Sequence, residues 1–289
     1  MISMYRRSAV AIAGCFVIIL VNWTGVGAQS QLPMAPTSGS GGTVSPAYEG
    51  WYQNSDGTYS LSFGYYNRNT QEVLEIPIGP DNSIEPIEFN GTQPTRFEPR
   101  RHWGVFAVTV PADFGNQRIE WTLNIRGQKV MIPGHLRVEW EIDALEGEAG
   151  GGNTPPVLKF DLSEMGGDEG AGPRGITAGP LQGKVGEPLA VNVWAHDDGQ
   201  GASRLSQAGG RGPSVTLTWF KHQGPGDVTF SEGSSRVPVA GAEATTMATF
   251  SAPGDYMLRV RANDASGVSG AGHAQCCWTN GFVKVTVIQ

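Results

Sequence analysis

Apolar and polar residues alternate with a period of two along most of the chain beyond about residue 48. Alternate side chains of a strand point to opposite faces of a sheet, so this alternation predicts half-buried β-strands. No stretch after the N-terminal segment has a sustained helical period. The pattern therefore predicts an all-β protein. The clearest examples are Tyr59, Leu61, Phe63 and Tyr65; Ile119, Trp121, Leu123 and Ile125; and Tyr256, Leu258 and Val260.

The chain also contains 41 glycines and 19 prolines, which divide the apolar runs into short strands joined by tight turns. Closely spaced short strands are typical of immunoglobulin-like sandwiches. We therefore expect two such β-sandwich domains in tandem, at residues 48–143 and 157–289, joined by a linker at 144–156. Glycine-rich stretches at 163–180 and 199–213 are expected to be loops. This arrangement predicts an extended, two-domain shape.

The N-terminus has the pattern of a secretory signal peptide. Arg6 and Arg7 precede an apolar run over residues 9–21, and small residues follow at the spacing that a signal peptidase accepts. We expect residues 1–28 to be removed. Residues 29–47 are rich in Pro, Ser, Gly and Thr, which predicts a disordered tether. The protein is therefore expected to be exported to the periplasm or the extracellular space.

Two alternatives use the same N-terminal residues. The segment Ile12 to Cys15 resembles a bacterial lipobox, in which Cys15 would be acylated and would attach the protein to the cell surface. The pair Arg6 and Arg7 is also compatible with a twin-arginine signal. The apolar run is too short for a comfortable membrane span, and no span is expected in the mature chain.

Charge narrows the set of partners. The chain has 27 acidic and 20 basic residues, for a net charge of −7. Binding to nucleic acid requires a basic surface, so nucleic acid is not an expected partner. The same argument applies to an anionic membrane surface.

Four segments of the second half of the chain carry a family resemblance: Asn153-Thr154-Pro155-Pro156-Val157, Val185-Gly186-Glu187-Pro188-Leu189, Asp197-Asp198-Gly199 and the stretch from Phe250 to Gly267. With these segments, residues 153–289 resemble PKD-type and cadherin-like modules. The resemblance implies a β-sandwich used for spacing, adhesion or presentation rather than catalysis. Residues 48–143 resemble uncharacterised secreted bacterial proteins, which implies no activity.

The same resemblance implies a calcium site. Asp197, Asp198 and Asp264 fall where such modules place calcium-binding carboxylates, and clustered oxygen ligands suit a hard cation. The alternative is ordinary turn chemistry, because Asp before Gly favours tight turns without any metal. No cofactor other than calcium is expected.

Cys276 and Cys277 are adjacent and would be the two cysteines left after signal-peptide cleavage. In an oxidising compartment they are expected to form a vicinal disulfide, which closes a small strained ring. Intermolecular pairing is one alternative. A second is a zinc or copper(I) site that includes His273, for which the chain offers no evident fourth ligand.

Aromatic residues of the first domain supply candidate ligand contacts. Trp51, Tyr52, Tyr65 and Tyr66 are candidates for an exposed row of rings that stacks on sugar faces. The alternative is that these rings fill the sandwich core.

The chain has neither a Gly-x-Ser-x-Gly segment nor a Gly-x-x-x-x-Gly-Lys phosphate loop. The leading hypothesis is a non-enzymatic, exported β-sandwich protein with a structural, adhesive or binding role. Its partner would be a polysaccharide or a cell-surface protein. The alternative hypothesis is a carbohydrate-binding accessory protein that uses the aromatic residues of the first domain.

Overall fold

The computed structural model describes residues 38–142, 153–160, 170–200, 213–264 and 277–289. These residues form β-strands and short 3₁₀ turns, which confirms the all-β prediction. In this part of the chain, no helix has the length and apolarity that crossing a membrane would require. The predicted signal peptide and its alternatives lie outside the described residues.

The first sandwich is built from short antiparallel strands in three sheets, with the orders β1-β2-β6, β4-β7-β8 and β3-β5. Its strands are β1 (Val44–Gln53), β2 (Tyr59–Asn67), β3 (Leu74–Glu75), β4 (Asn82–Glu85), β5 (Arg96–Phe97), β6 (Arg100–Val110), β7 (Ile119–Ile125) and β8 (Gln128–Gly134).

Aromatic rings dominate the core of the first sandwich. Phe63, Phe97, Phe106 and Trp121 are all buried, and the rings of Phe106 and Trp121 meet edge to face with centroids 5.0 Å apart. Aromatic pairs favour this geometry because the ring edge is positive and the face negative. Strand β7 alternates strictly between buried and half-buried positions, as its sequence predicts.

The second sandwich has two sheets, with the orders β10-β17-β16-β12-β14 and β13-β15-β11-β9. Its strands are β9 (Val157–Lys159), β10 (Ile176–Lys184), β11 (Leu189–His196), β12 (Ser214–Gln223), β13 (Val228–Phe230), β14 (Ser234–Pro238), β15 (Ala242–Phe250), β16 (Gly254–Asn263) and β17 (Trp278–Ile288).

The strand order of the second sandwich is immunoglobulin-like. Its first strand is divided between the two sheets, and β10 pairs in parallel with the final strand β17. All other pairings are antiparallel among the described strands of this sandwich. The core is mostly aliphatic, and it includes Val191, Val193, Leu217, Leu258 and Val283.

The structure corrects three expectations about local structure. Strand β1 begins at Val44, inside the predicted tether, because Val44 is fully buried in the first core. Strand β10 extends into the stretch 163–180 that was predicted as a loop, because its backbone pairs with β17 despite its glycine and proline residues. Asn153 lies within the predicted linker, where an exposed side chain would be expected, but it is only 2 % exposed.

The expected extended shape is wrong, because residues 37–289 form one compact unit. The two sandwiches meet over the outer face of the β1-β2-β6 sheet, and Phe282 of β17 joins the first core. As a result β2 is buried on both faces, including Ser60 and Ser62, whereas its alternation predicts one exposed face. The remaining domain boundaries stay predictions.

Candidate functional site

Asn280 of β17 connects the two sandwiches through hydrogen bonds. It is fully buried, and its Nδ2 donates to the carbonyl oxygens of Gly104 (2.7 Å) and Pro173 (3.0 Å). Gly104 belongs to β6 of the first sandwich, and Pro173 to the 3₁₀ turn Gly172–Arg174 that packs on β2 and β6. Buried carbonyl groups need such donors, so this side chain satisfies both sides of the contact. We call the contact between β6, β16, β17 and this turn the inter-sandwich interface.

Gly104 is required by the close approach of Trp278 at this interface. The backbone of Gly104 has φ of +48°, and a Cβ atom there would lie 2.4 Å from Cζ2 of Trp278. A Cβ atom therefore has no room, and a side chain would strain the backbone as well. Trp278 is fully buried against this glycine.

The inter-sandwich interface also contains a buried carboxylate. Oε1 of Glu49 lies 2.6 Å from Nη2 of Arg101, and Oε2 accepts from the backbone N–H of Gly104 at 2.5 Å. Burial raises the pKa of Glu49 to about 7, and Arg101 and the Gly104 N–H oppose that rise.

Two arginines of β16 reach the inter-sandwich interface from the other side. Alternate residues of β16 fill the second core, so Arg259 and Arg261 point the opposite way, toward the first sandwich. The guanidinium of Arg259 lies 4.4 Å from the ring centre of Phe220, and that of Arg261 lies 4.3 Å from the ring centre of Trp278. Burial lowers the pKa of Arg259 to about 10 and that of Arg261 to about 9, so both are charged at neutral pH. Cation–π contacts offset part of the cost of burying these charges.

Two histidines, the half-buried His102 and the buried His222, also lie at the inter-sandwich interface. Burial, assisted by the charge of Arg259, lowers the pKa of His102 to about 4 and that of His222 to about 3. Both imidazoles are therefore neutral at neutral pH. The Nε2 atom of His222 lies 2.9 Å from the carbonyl oxygen of Thr92, which pairs the second sandwich with the first.

Tyr52 and Tyr65 are buried, which contradicts their predicted place in an exposed aromatic row. The hydroxyl of Tyr52 accepts from the backbone N–H of Arg174 at 2.8 Å, and burial raises its pKa to about 12. Tyr65 is 2 % exposed in the first core, and its hydroxyl accepts from the N–H of Glu98. Both tyrosines are therefore part of the packed interior. A buried ring has no face free to stack on a sugar.

Trp51 and Tyr66 are half-buried and lie far apart on the same sheet. The Trp51 ring packs edge-on against Tyr59 with centroids 5.5 Å apart, whereas the Arg100 guanidinium lies over the Tyr66 ring. Trp51 pairs with Leu61, five residues before Tyr66 along β2, a separation of about 17 Å. They do not form one platform. Ligand binding by either residue stays a prediction.

The predicted calcium residues lie at one end of the second sandwich. Oδ2 of Asp197 accepts from the N–H of Gly199 at 3.0 Å, which is the predicted turn chemistry. Oδ2 of Asp264 accepts from Nδ2 of Asn153 at 2.5 Å. Burial raises the pKa of Asp197 to about 6, and the nearby charges of Asp264 and Asp198 add to this rise. No group of three His, Cys, Asp or Glu side chains in the described ranges is arranged to hold a metal. Calcium binding stays a prediction.

Cys277 is disulfide-bonded and buried beside Asn153, whose Nδ2 lies 3.1 Å from its Sγ. The other two cysteines of the chain are Cys15 and Cys276. Both of these residues, and His273, lie outside the described residues. The predicted pairing with Cys276 therefore stays a prediction.

Sequence reasoning missed the residues of the inter-sandwich interface. Glu49, Arg259, Arg261 and Asn280 occupy polar positions in otherwise apolar strands. Such positions normally face water, so period-two alternation assigns them to the surface. Trp278, Thr279 and Asn280 are consecutive and all buried. Because neighbouring residues of a strand lie on opposite faces, this shows that a second surface covers the outer face of β17.

No protein-family model matches the chain, and no curated protein matches it. Solved structures similar to the chain include the D00-D0 domain of intimin, at 11% identity and a TM-score of 0.27, covering 86% of this chain and 100% of that one. The Yersinia pseudotuberculosis adhesin InvE is similar at 12% identity and a TM-score of 0.25, covering 84% of this chain and 58% of that one. A PapD-like domain of human CEP192 is 8% identical, with a TM-score of 0.28, over 47% of this chain and 87% of that one.

TM-scores at this level carry no argument about function. The assignment of the fold rests instead on the strand order of the two sandwiches.

Proposed function

We propose that this chain is an exported, non-enzymatic protein whose two β-sandwiches act as one rigid body with a structural or adhesive role, at the cell surface or in the periplasm. The observation that carries the proposal is the inter-sandwich interface. The hydrogen bond from Asn280 to Gly104, the contact of His222 with Thr92 and the packing of Trp278 on Gly104 all form only in one relative orientation of the two sandwiches.

A rigid pair of sandwiches suits presentation of a binding surface at a fixed position. Domains of one chain move relative to each other by default unless a large contact holds them together. Here Trp278 and Asn280 are fully buried and Arg259 is 3 % exposed, so any relative motion would expose or unpair them. Spacing and presentation are also the roles that the PKD-type resemblance of residues 153–289 implies.

The disulfide at Cys277 supports export. Structural disulfides persist in oxidising compartments and are rare in the cytosol. A cell-surface protein or a polysaccharide is the expected partner.

The proposal is tested by two measurements in the source organism. Cell fractionation with an antibody, together with protease treatment of intact cells, is expected to find the chain outside the cytoplasm. Beads coated with the full chain are expected to be retained on intact cells under flow. Beads coated with Asn280→Ala protein should be retained less, because the variant loosens the inter-sandwich interface.

Asn192→Ala is the matched control, since that asparagine lies on β11 with its side chain exposed. A cytoplasmic location would overturn export. Retention equal to that of uncoated beads would overturn the adhesive role, and equal retention of the wild type and Asn280→Ala would overturn the need for a rigid body.

A further inference from the structure

A cleft of about 720 Å³ lies where the two sandwiches meet at the surface. Glu75, Pro77 and Thr95 line it from the first sandwich. Lys221, the loop between β12 and β13, and the turn before β16 line it from the second. Small-molecule sites have volumes of about 300–1,000 Å³ and form preferentially between domains. The cleft therefore has the size and position of a ligand site.

Two groups that can donate a hydrogen bond are buried in the wall of this cleft. The side chain of Lys221 is 4 % exposed, and its Nζ lies 3.0 Å from Oε1 of Glu75. The hydroxyl of Thr95 is buried, and it has no hydrogen-bond partner among the described residues. Thr95 as a whole is 9 % exposed. A buried hydroxyl without a partner is unfavourable, so a ligand that supplies one is stabilised there.

Two carboxylates provide acceptors on the open side of the cleft. Nη1 of Arg96 lies 2.8 Å from Oε1 of Glu75 and 3.3 Å from Oδ1 of Asp227. In the described part of the chain, the second oxygen of each carboxylate accepts no hydrogen bond. The cleft thus presents donors and acceptors side by side.

The wall contributed by the second sandwich is held in place before any ligand arrives. The hydroxyl of Tyr256 accepts from the N–H of Gly226 at 3.0 Å and donates to the carbonyl oxygen of Ala252 at 2.7 Å. The N–H of Asp227 donates to Oγ of Ser251 at 2.7 Å. These bonds fix the position of the Asp227 backbone, and a fixed site loses less entropy on binding.

We infer that this cleft binds a neutral polyhydroxylated ligand, of which a sugar ring is the representative class. Each sugar hydroxyl donates one hydrogen bond and accepts others, which matches carboxylate oxygens beside Lys221 and Thr95. The positive charges of Lys221 and Arg96 are already balanced by Glu75 and Asp227, so the cleft does not favour an anion. Pro77 and Pro225 add C–H surface for the apolar face of a sugar. This site goes beyond the structural role proposed above and is a candidate carbohydrate contact separate from Trp51 and Tyr66.

The test is titration calorimetry of the full chain with a panel of neutral mono- and disaccharides, and with glucuronic acid as the charged comparison. The wild type is expected to bind at least one neutral sugar saturably. Thr95→Val and Lys221→Met are each expected to weaken binding about tenfold, the effect of losing one good hydrogen bond. Lys184→Met is the matched control, because Lys184 is an exposed lysine that also faces a glutamate, at 4.0 Å, outside the cleft.

Thermal unfolding of the same variants separates binding from folding. Thr95→Val keeps the shape of the side chain and removes an unpartnered hydroxyl, so it is expected to keep or raise the melting temperature while binding falls. The inference would be overturned by no saturable sugar binding, by binding that Thr95→Val and Lys221→Met leave unchanged, or by binding of glucuronic acid alone. None of these results would alter the rigid-body proposal, which depends on Asn280 and Trp278 rather than on the cleft.

Discussion

The interiors of the two sandwiches and the interface between them are buried to a similar degree but are chemically different. The interiors are apolar, with aromatic rings in the first and aliphatic side chains in the second. The interface buries Glu49, Arg259, Arg261 and Asn280 among aromatic rings. Apolar burial is non-directional, whereas buried polar groups must each find a partner in a set geometry. The difference indicates that the cores drive folding and that the interface fixes orientation.

The largest expected effect on stability comes from replacing one tryptophan in the first core and one in the interface. Trp121→Ala in the first core and Trp278→Ala in the interface are each expected to lower the free energy of unfolding by about 3–5 kcal/mol. Trp121→Ala should lower one shared transition, whereas Trp278→Ala should separate the unfolding of the two sandwiches. Urea unfolding followed by circular dichroism measures both. A single shared transition in Trp278→Ala would contradict the role assigned to this contact.

The second test removes the hydrogen bonds of Asn280. Asn280→Ala leaves the carbonyl groups of Gly104 and Pro173 without this buried donor, at an expected loss of about 2–3 kcal/mol. The exposed Asn192→Ala should change stability by less than about 0.5 kcal/mol. Equal effects of the two variants in urea unfolding would show that Asn280 is not a structural link.

The third test uses pH. The pKa of His222 is lowered to about 3 in the fold, below its ordinary value of 6.5, so the unfolded chain binds more protons at intermediate pH. The stability that His222 provides is complete above pH 6.5 and falls as pH drops below that value, by about 2 kcal/mol at pH 5. The raised pKa of Glu49 has the opposite effect, because it makes the folded protein more stable as the pH falls.

The contribution of His222 is therefore measured as a difference. Urea unfolding of the wild type and His222→Gln between pH 7 and pH 5 should show a steeper fall for the wild type. Parallel pH profiles would mean that His222 is not held neutral at the interface.

The smallest expected effect is at the aspartates at one end of the second sandwich. The pKa of Asp197 is raised to about 6, so its folded form favours the proton, and its contribution to stability is lost as pH rises from about 4 to 6. Asp197→Asn should therefore raise stability at pH 7.5, and solvent screening of this partly exposed carboxylate limits the gain to about 1 kcal/mol. If the calcium prediction holds, calcium should raise the melting temperature of the wild type and of the exposed Asp255→Asn control, but not that of Asp197→Asn. Identical calcium responses in all three proteins would count against the site.

The contrast between cores and interface also explains what the sequence could predict. Alternation identified β7 and the apolar positions of β2 and β16, because each core selects one face of a strand. It gave no indication that Arg259 and Arg261 are buried, because the partner surface comes from residues about 150 positions earlier, which no local pattern contains. Glycine and proline predicted a loop where β10 pairs with β17, because the pairing partner is also distant.

The candidate site residues were also chosen from local features of the sequence alone. Aromatic residues and aspartates were selected for their type, and the structure buries Tyr52 and Tyr65. The cleft beside Lys221 was not anticipated, because its walls come from β3 and the segments beside β3 and β5 in one sandwich, and from β12 and two loops in the other. A lysine within a strand gives no signal of burial until the facing glutamate is known.

Differential scanning calorimetry of the full chain shows whether the two sandwiches unfold as one rigid body. We expect a single transition in which the calorimetric enthalpy equals the van't Hoff enthalpy, because separating the sandwiches would expose Trp278 and break the hydrogen bond from Asn280 to Gly104. Two resolved transitions in the wild-type protein would contradict it, since they would show that each sandwich folds independently and that the interface does not couple them.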